Sequence, residues 1–114
     1  MIEIKNISKQ YGKKFVLEDI NLHIAKNQTY CLLGKNGAGK TTLINLILDL
    51  IKLDAGSIHI FGGDRHHLDN QFKKRMGVVH EHLALIEEIN GKEFLTLVGK
   101  IYGLPKDILN KRVT

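Results

Sequence analysis

Three segments of the chain alternate apolar and polar residues with a period of two. Residues 2–5, 20–24 and 57–61 each place apolar side chains on one face and polar side chains on the other. Such alternation is typical of β-strands with one buried face, which usually pair antiparallel. The pattern therefore predicts an antiparallel sheet in the first half of the chain.

Two other segments are apolar without alternation. Residues 29–33 read Thr-Tyr-Cys-Leu-Leu, and residues 77–79 read Gly-Val-Val. A continuous apolar run is typical of a strand that is buried on both faces of a parallel sheet. We therefore expect two parallel core strands here, with Cys31 as a small core residue.

Apolar residues at helical spacing predict helices over residues 40–51 and 92–102. The first of these is apolar on nearly all sides, which predicts a central and buried helix. A short polar helix is expected over residues 70–75. Gly103 is predicted to end the helix over 92–102, and Pro105 to begin another one.

Composition narrows the functional classes. The chain has 114 residues, enough for one small domain at most. Its 43% hydrophobic and 25% charged residues are ordinary globular values, which exclude collagen-like and fully disordered chains. The single cysteine excludes an internal disulfide framework. The most apolar stretch, residues 43–51, is much shorter than the roughly 20 residues of a membrane span. We therefore expect a soluble, cytoplasmic protein.

The net charge of +5 is compatible with binding to an anionic partner such as a nucleic acid, an anionic lipid or an anionic small ligand. Lysine and arginine are scattered along the chain in short groups, and the sequence has no RNA-binding aromatic motif or zinc-finger spacing. A nucleic-acid partner is therefore not expected.

Residues 34–41 carry the most specific motif. They read Gly-Lys-Asn-Gly-Ala-Gly-Lys-Thr and match G-x-x-x-x-G-K-[ST], between a predicted strand and a predicted helix. Glycines let the backbone fold around a phosphate chain with its N–H groups pointing inward, and the helix start adds its positive dipole end. Lys40 supplies a point charge for the terminal phosphates, and Thr41 supplies a hydroxyl for Mg²⁺. The predicted phosphate-binding residues are Gly34, Lys35, Asn36, Gly37, Ala38, Gly39, Lys40, Thr41 and Thr42.

The position of this loop after two amphipathic strands resembles the nucleotide-binding domain of ATP-binding cassette (ABC) transporters. The segments that carry the resemblance are Tyr11-Gly12, residues 16–22, the loop over 34–42, the turn over 50–58 and residues 102–105. The chain departs from the family at Lys35 and Leu53, where proline is common. The resemblance covers the whole chain.

The resemblance implies an α/β fold: a partial P-loop NTPase (RecA-like) core with an antiparallel β arm and the start of a helical subdomain. We expect residues 1–114 to be the N-terminal part of one ABC ATP-binding domain. The implied parts are the β arm (mainly 1–28 and 57–62), the phosphate loop and its helix (29–56), a core strand with the Q-loop position (77–81) and the beginning of the helical subdomain (82–114).

The resemblance implies roles for three further residues, Tyr11, Val16 and Glu81. Tyr11 would stack on adenine, or else be a turn or core aromatic, and Val16 would pack beside the base or ribose, or else be a core valine. Glu81 occupies the Q-loop position, where glutamine is usual. Its carboxylate would reach Mg²⁺ directly or through water, or else have no role, and Thr41 would bind the same ion. Residues 83–86 form an apolar patch that would face a transmembrane partner or fold under the helical subdomain.

The function implied by the resemblance is that of an ATP-binding subunit of an ABC transporter. It would bind Mg-ATP to power export through a partner permease, as in bacterial drug and antimicrobial-peptide exporters. It would pair with a second cassette, and it would lie on the inner face of the cell membrane. A non-transport ABC ATPase and a stand-alone nucleotide-binding regulatory module remain alternatives.

The sequence contains no Leu-Ser-Gly-Gly-Gln-type signature, no Walker B aspartate followed by glutamate and no switch histidine. Positioning of the attacking water accounts for much of phosphoryl-transfer catalysis. We therefore expect this chain alone to bind Mg-ATP weakly or not at all, and not to hydrolyse it.

Overall fold

The computed structural model describes residues 1–67, 69–79, 86 and 88–113. The chain divides into two compact units, Met1–Asp69 and Asn70–Thr114. The first unit contains β1 (Ile2–Tyr11), β2 (Lys14–Ile24), α1 (Lys40–Ile47), β3 (Ala55–Ile60), β4 (Gly63–Asp64) and a 3₁₀ turn (Arg65–His67). The second contains α2 (Asn70–Lys73), α3 (Gly91–Ile101) and α4 (Lys106–Val113).

The sheet of the first unit is antiparallel throughout, with the strand order β2-β1-β3-β4. Ile4 of β1 lies opposite Leu22 on one side and Ile58 on the other. Ile4, Ile58 and Ile60 are buried, so the apolar face of the strands forms the core of this unit. The antiparallel pairing expected from the period-two alternation is confirmed.

A β-bulge extends β1 beyond the segment that the alternation predicts. Ile4 and Ile7 are both buried although they are three positions apart, an odd offset that would place them on opposite faces of a regular strand, and the register to β2 shifts between them. Asn6 lies at this shift with φ of 47°. Its backbone N–H donates to Asn21 Oδ1 at 2.9 Å, and its side-chain amide donates to Asp19 Oδ1 at 2.7 Å. The bulge turns both isoleucines to the same face, so a search for strict alternation in the sequence does not recognise residues 6–11 as part of the strand.

Neither predicted parallel strand is present in the described part of the chain. Residues 29–33 form no strand, Cys31 is exposed, and Leu33 is 85% exposed. Residues 77–79 likewise form no strand, and Val79 is 85% exposed. A segment becomes a core strand only when neighbouring strands pair with its edges and other elements cover its two faces. No described strand pairs with either segment, so both predictions, and that of a buried Cys31, are wrong for this structure.

Helix α1 is shorter and more exposed than its apolar sequence predicts. It ends at Ile47 instead of residue 51. Leu43 and Leu46 are its buried residues, whereas Ile44 is 47% exposed. One side of α1 contacts β2. An apolar helix is buried all round only where other elements cover its remaining faces.

The second unit contains the helices predicted towards the C-terminus. Asn90 caps α3: its side chain accepts from the Glu93 N–H, and the Glu93 carboxylate accepts from the Asn90 N–H. Gly103 follows α3 with φ of 73°, and α4 begins directly after Pro105. Both boundary predictions are confirmed. The polar helix expected over residues 70–75 is present as α2 and ends at Lys73.

Candidate nucleotide-binding site

The glycine-rich loop leads directly into α1. Gly37 and Gly39 have φ of 83° and 89°, in the left-handed region that glycine enters freely. Between them, the Ala38 N–H donates to the Lys35 carbonyl at 3.1 Å, which closes a tight turn. The loop therefore has the folded-back conformation that the motif predicts.

The Lys40 ammonium lies over the start of this loop. Its Nζ donates to the carbonyl oxygens of Gly34 at 2.5 Å and Lys35 at 2.7 Å. Both bonds are charge-assisted, which makes them stronger than neutral hydrogen bonds. They hold the positive charge of Lys40 inside the turn of the loop.

Gly39 packs directly against β2. A Cβ added to it would lie 2.8 Å from Leu17 Cδ2, 2.9 Å from the Val16 carbonyl oxygen and 3.4 Å from Val16 Cγ1. Glycine is required at this position by both its backbone angle and its surroundings. The structure thus brings Val16 beside the loop, as its predicted role requires.

The first turn of α1 presents an electropositive end. Gly39 is the N-cap, no side-chain hydrogen bond caps this end, and the first turn contains no acidic residue. The Leu43 N–H donates to the Gly39 carbonyl at 2.9 Å and is the first amide used by the helix ladder. Thr41 is exposed, and Thr42 is half-buried. The backbone N–H groups at the start of a helix and its dipole both favour an anion.

Tyr11 lies at the end of β1, opposite Lys14 at the hairpin turn. Its side chain is 52% exposed, and Lys9 Nζ lies 5.3 Å from the centroid of the ring in a cation–π arrangement. The exposure of the ring suits stacking on a flat base, which remains a prediction. Glu81 and residues 83–85 lie outside the described residues.

Two residues near the far end of α1 have no counterpart in the sequence motifs. Arg65 is 2% exposed, and its Nη2 lies 3.3 Å from Asp49 Oδ1. The last turn of α1 contains no basic residue to complement the helix dipole, but this feature of the sequence does not single out Arg65 as the partner.

The sequence profile of the ABC transporter family matches residues 17–112. The chain belongs to the ABC transporter family. The family predicted from the motif and its flanking segments is thereby confirmed.

Two relatives show how widely the family's uses differ. The linearmycin resistance ATP-binding protein LnrL of Bacillus subtilis is 36% identical over 112 residues, covering 98% of this chain and 36% of that protein. The methionine import ATP-binding protein MetN of Clostridium acetobutylicum is 32% identical over 117 residues, covering 99% of this chain and 37% of that protein. The chain thus spans little more than a third of the length of these relatives.

A solved structure gives the same fold. A dimeric ATP-binding cassette in a post-hydrolysis state, bound to ADP and Pi, superposes with a TM-score of 0.80 at 25% identity. The match covers 99% of this chain and 54% of that cassette. The predicted partial P-loop NTPase fold is therefore confirmed.

Proposed function

We propose that this chain forms the phosphate-binding half of the ATP site in the ATP-binding subunit of a transporter. The observation that carries the proposal is the pair of bonds from Lys40 Nζ to the carbonyls of Gly34 and Lys35, at 2.5 and 2.7 Å. They place a positive charge inside a loop that leads to an uncapped helix start without acidic residues. This combination suits the polyphosphate of a nucleotide.

Each residue of the site has a chemical task under this proposal. The loop N–H groups and Lys40 bind the phosphates, and the ammonium exchanges its carbonyl partners for phosphate oxygens. The exposed Thr41 hydroxyl, and the Glu81 carboxylate directly or through water, hold Mg²⁺. When Mg²⁺ is bound, it neutralises part of the negative charge of the phosphates. Val16 contacts the base or ribose, and Tyr11 stacks on the adenine.

ATP hydrolysis belongs to a longer protein under this proposal. Residues 34–41 bind and orient phosphates, whereas the sequence has no Walker B acid pair, signature or switch histidine to position water. The relatives, which are nearly three times as long as the matched region, support this division.

Two partners complete the proposal: a transmembrane permease and a second ATP-binding cassette. The dimeric state of the similar solved cassette supports the second partner. In the described residues, no helix is long and apolar enough to cross a membrane. By the resemblance to the family, a separate permease would supply the transport path, with this subunit on the inner face of the cell membrane. Export is proposed from the resemblance to bacterial drug and antimicrobial-peptide exporters, and a relative named for linearmycin resistance, at 36% identity, supports it.

Calorimetric titration of the 114-residue chain with Mg-ATP tests the phosphate site. The sequence alone leaves weak binding and no binding open, and we expect weak binding because the loop is folded and holds Lys40 in this structure. Lys40→Ala should weaken this binding by at least tenfold, because hydrogen bonds to a charged group contribute about 1.5–3 kcal/mol. Lys52→Ala is the matched control: it removes the same charge from an exposed position of the same unit. Chelation of Mg²⁺ should weaken binding to the wild type.

Two results would contradict the proposal. Equal affinity of the wild type and Lys40→Ala would place the nucleotide elsewhere. An absence of binding heat in the wild type at millimolar Mg-ATP would mean that this chain does not form the site.

A further inference from the structure

The C-terminal end of α1 is closed by a Schellman-type turn with an unusual residue. The Leu50 N–H donates to the Asn45 carbonyl at 2.9 Å, and the Asp49 N–H donates to the Leu46 carbonyl at 3.3 Å. Asp49 has φ of 60°, at the position where glycine is usual. Aspartate tolerates this left-handed conformation better than most residues, but the conformation still costs free energy that an additional interaction of Asp49 can offset.

Arg65 provides that interaction from the 3₁₀ turn after β4. Its Nη2 lies 3.3 Å from Asp49 Oδ1, and its Nη1 donates to the Leu46 carbonyl in the last turn of α1. Nη1 also lies 3.5 Å from the Ile51 carbonyl oxygen. One guanidinium thus joins the helix end, the turn residue and the segment that follows.

Arg65 is buried with partners at both terminal nitrogens of its guanidinium, whereas its Nε has no hydrogen-bond partner among the described residues. The residue is 2% exposed, the only polar or charged side chain among the described buried residues. A charge is tolerated in such a place only when its partners are well placed. The last turn of α1 contains no basic residue, so Arg65 supplies from another element the positive charge that the helix dipole favours there.

The opposite end of α1 is the phosphate site. The helix of 8 residues is about 12 Å long at 1.5 Å per residue, so its two ends move together. The apolar contact that holds α1 in place is small, since Leu43 and Leu46 are the buried residues of this helix. A second contact at the C-terminal end of α1, such as that of Arg65, would restrict rotation of the helix about the contact made by Leu43 and Leu46.

We propose that Arg65 is a positioning residue for the phosphate loop. It fixes the C-terminal end of α1 through Asp49 and the Leu46 carbonyl, and thereby fixes the direction in which the first turn presents Lys40. The inference about nucleotide binding rests on the proposed function, whereas the inference about loop order does not.

Hydrogen exchange of the 114-residue chain without nucleotide tests the loop directly. The amides of Ala38 and Leu43 report on the loop and on the first turn, because both are hydrogen bonded there. We expect Arg65→Met to speed their exchange by about fivefold or more relative to the β1 amides. Arg65→Lys, which keeps the charge but loses the fork geometry, should have a smaller effect. Arg112→Met, at an exposed arginine, is the matched control and should change neither amide.

A Mg-ATP titration of the same variants gives the second readout. Arg65→Met should raise the Kd by about three- to tenfold, and Arg112→Met should leave it unchanged. If the wild type does not bind Mg-ATP, the proposed function fails, and the exchange rates still decide whether Arg65 orders the loop.

The result that would overturn the proposal is exchange at Ala38 and Leu43 that changes no more than exchange in β1. Arg65 would then stabilise the unit as a whole without positioning the loop. Should Arg65→Met fail to fold, Arg65→Lys and Asp49→Asn decide instead, since each keeps the side-chain volume nearly unchanged. Wild-type exchange at both amides in these two variants would equally overturn it.

Discussion

Replacing Gly39 by alanine should separate the phosphate loop from β2. The new Cβ would lie 2.8 Å from Leu17 Cδ2 and 2.9 Å from the Val16 carbonyl oxygen, against about 3.5–4.0 Å for an ordinary contact. Leu17 Cδ2 is the end of a flexible side chain, but the carbonyl belongs to the backbone of a sheet strand and cannot move independently of it. Overpacking of this kind costs about 1–3 kcal/mol. The φ of 89° adds about 1–2 kcal/mol for a residue with a Cβ, so we expect a total loss of about 2–5 kcal/mol.

Gly62 offers a matched control for the backbone term. It has φ of 87°, and a Cβ added to it would meet no atom within 4 Å. Gly62→Ala should therefore cost about 1–2 kcal/mol from its backbone conformation alone. The difference between the two variants isolates the contact of Gly39 with β2, and we expect it to be at least about 1 kcal/mol.

Hydrogen exchange of the β1 and β2 amides measures this difference within the first unit. A gap of about 1 kcal/mol corresponds to exchange about fivefold faster in Gly39→Ala than in Gly62→Ala. Equal exchange rates in the two variants would refute the reasoning, because they would mean that the loop moves away from β2 without cost.

Two further predictions concern the same unit. Leu46→Ala should lower the free energy of unfolding by about 2–5 kcal/mol because Leu46 is fully buried. Leu50→Ala, at a residue that is 62% exposed, should change it by about 0.5 kcal/mol or less. Urea denaturation followed by circular dichroism compares the two variants, and similar losses would contradict the packing of α1. The Gln10 N–H donates to the Asp54 carboxylate at 2.7 Å and lowers the pKa of Asp54 below its ordinary value. A lowered pKa gives stability that is present above about pH 4 and is lost as the pH falls through the folded-state pKa. Asp54→Asn should therefore be less stable than the wild type at pH 7 and equally stable in strong acid, and a difference that stays constant with pH would contradict this assignment.

The phosphate loop could be predicted from sequence because its chemistry is local. Residues 34–41 need glycines at left-handed angles, a lysine and a helix start, and all of these are adjacent in the chain. The roles predicted for Tyr11 and Val16 come from the family resemblance, which rests on short sequence segments around each of them. Val16 lies beside Gly39 as that role requires, but the stacking of Tyr11 on a base is still a prediction.

Arg65 could not be predicted because its partners come from a distant element. Nothing in the neighbourhood of Arg65 in the sequence indicates that its guanidinium is buried against the end of α1. Its role depends on the pairing of β3 with β4, which brings the following turn to Asp49.

The sequence by itself determined the features that depend on neighbouring residues. These are the antiparallel strands, the phosphate loop with the start of its helix, and the boundaries at Gly103 and Pro105. Only the tertiary structure decided which apolar residues are buried. An apolar run such as 29–33 is compatible with a core strand, but burial requires that other elements cover it. The bulge at Asn6 and the closure of α1 by Arg65 likewise depend on contacts between elements, which no local pattern contains.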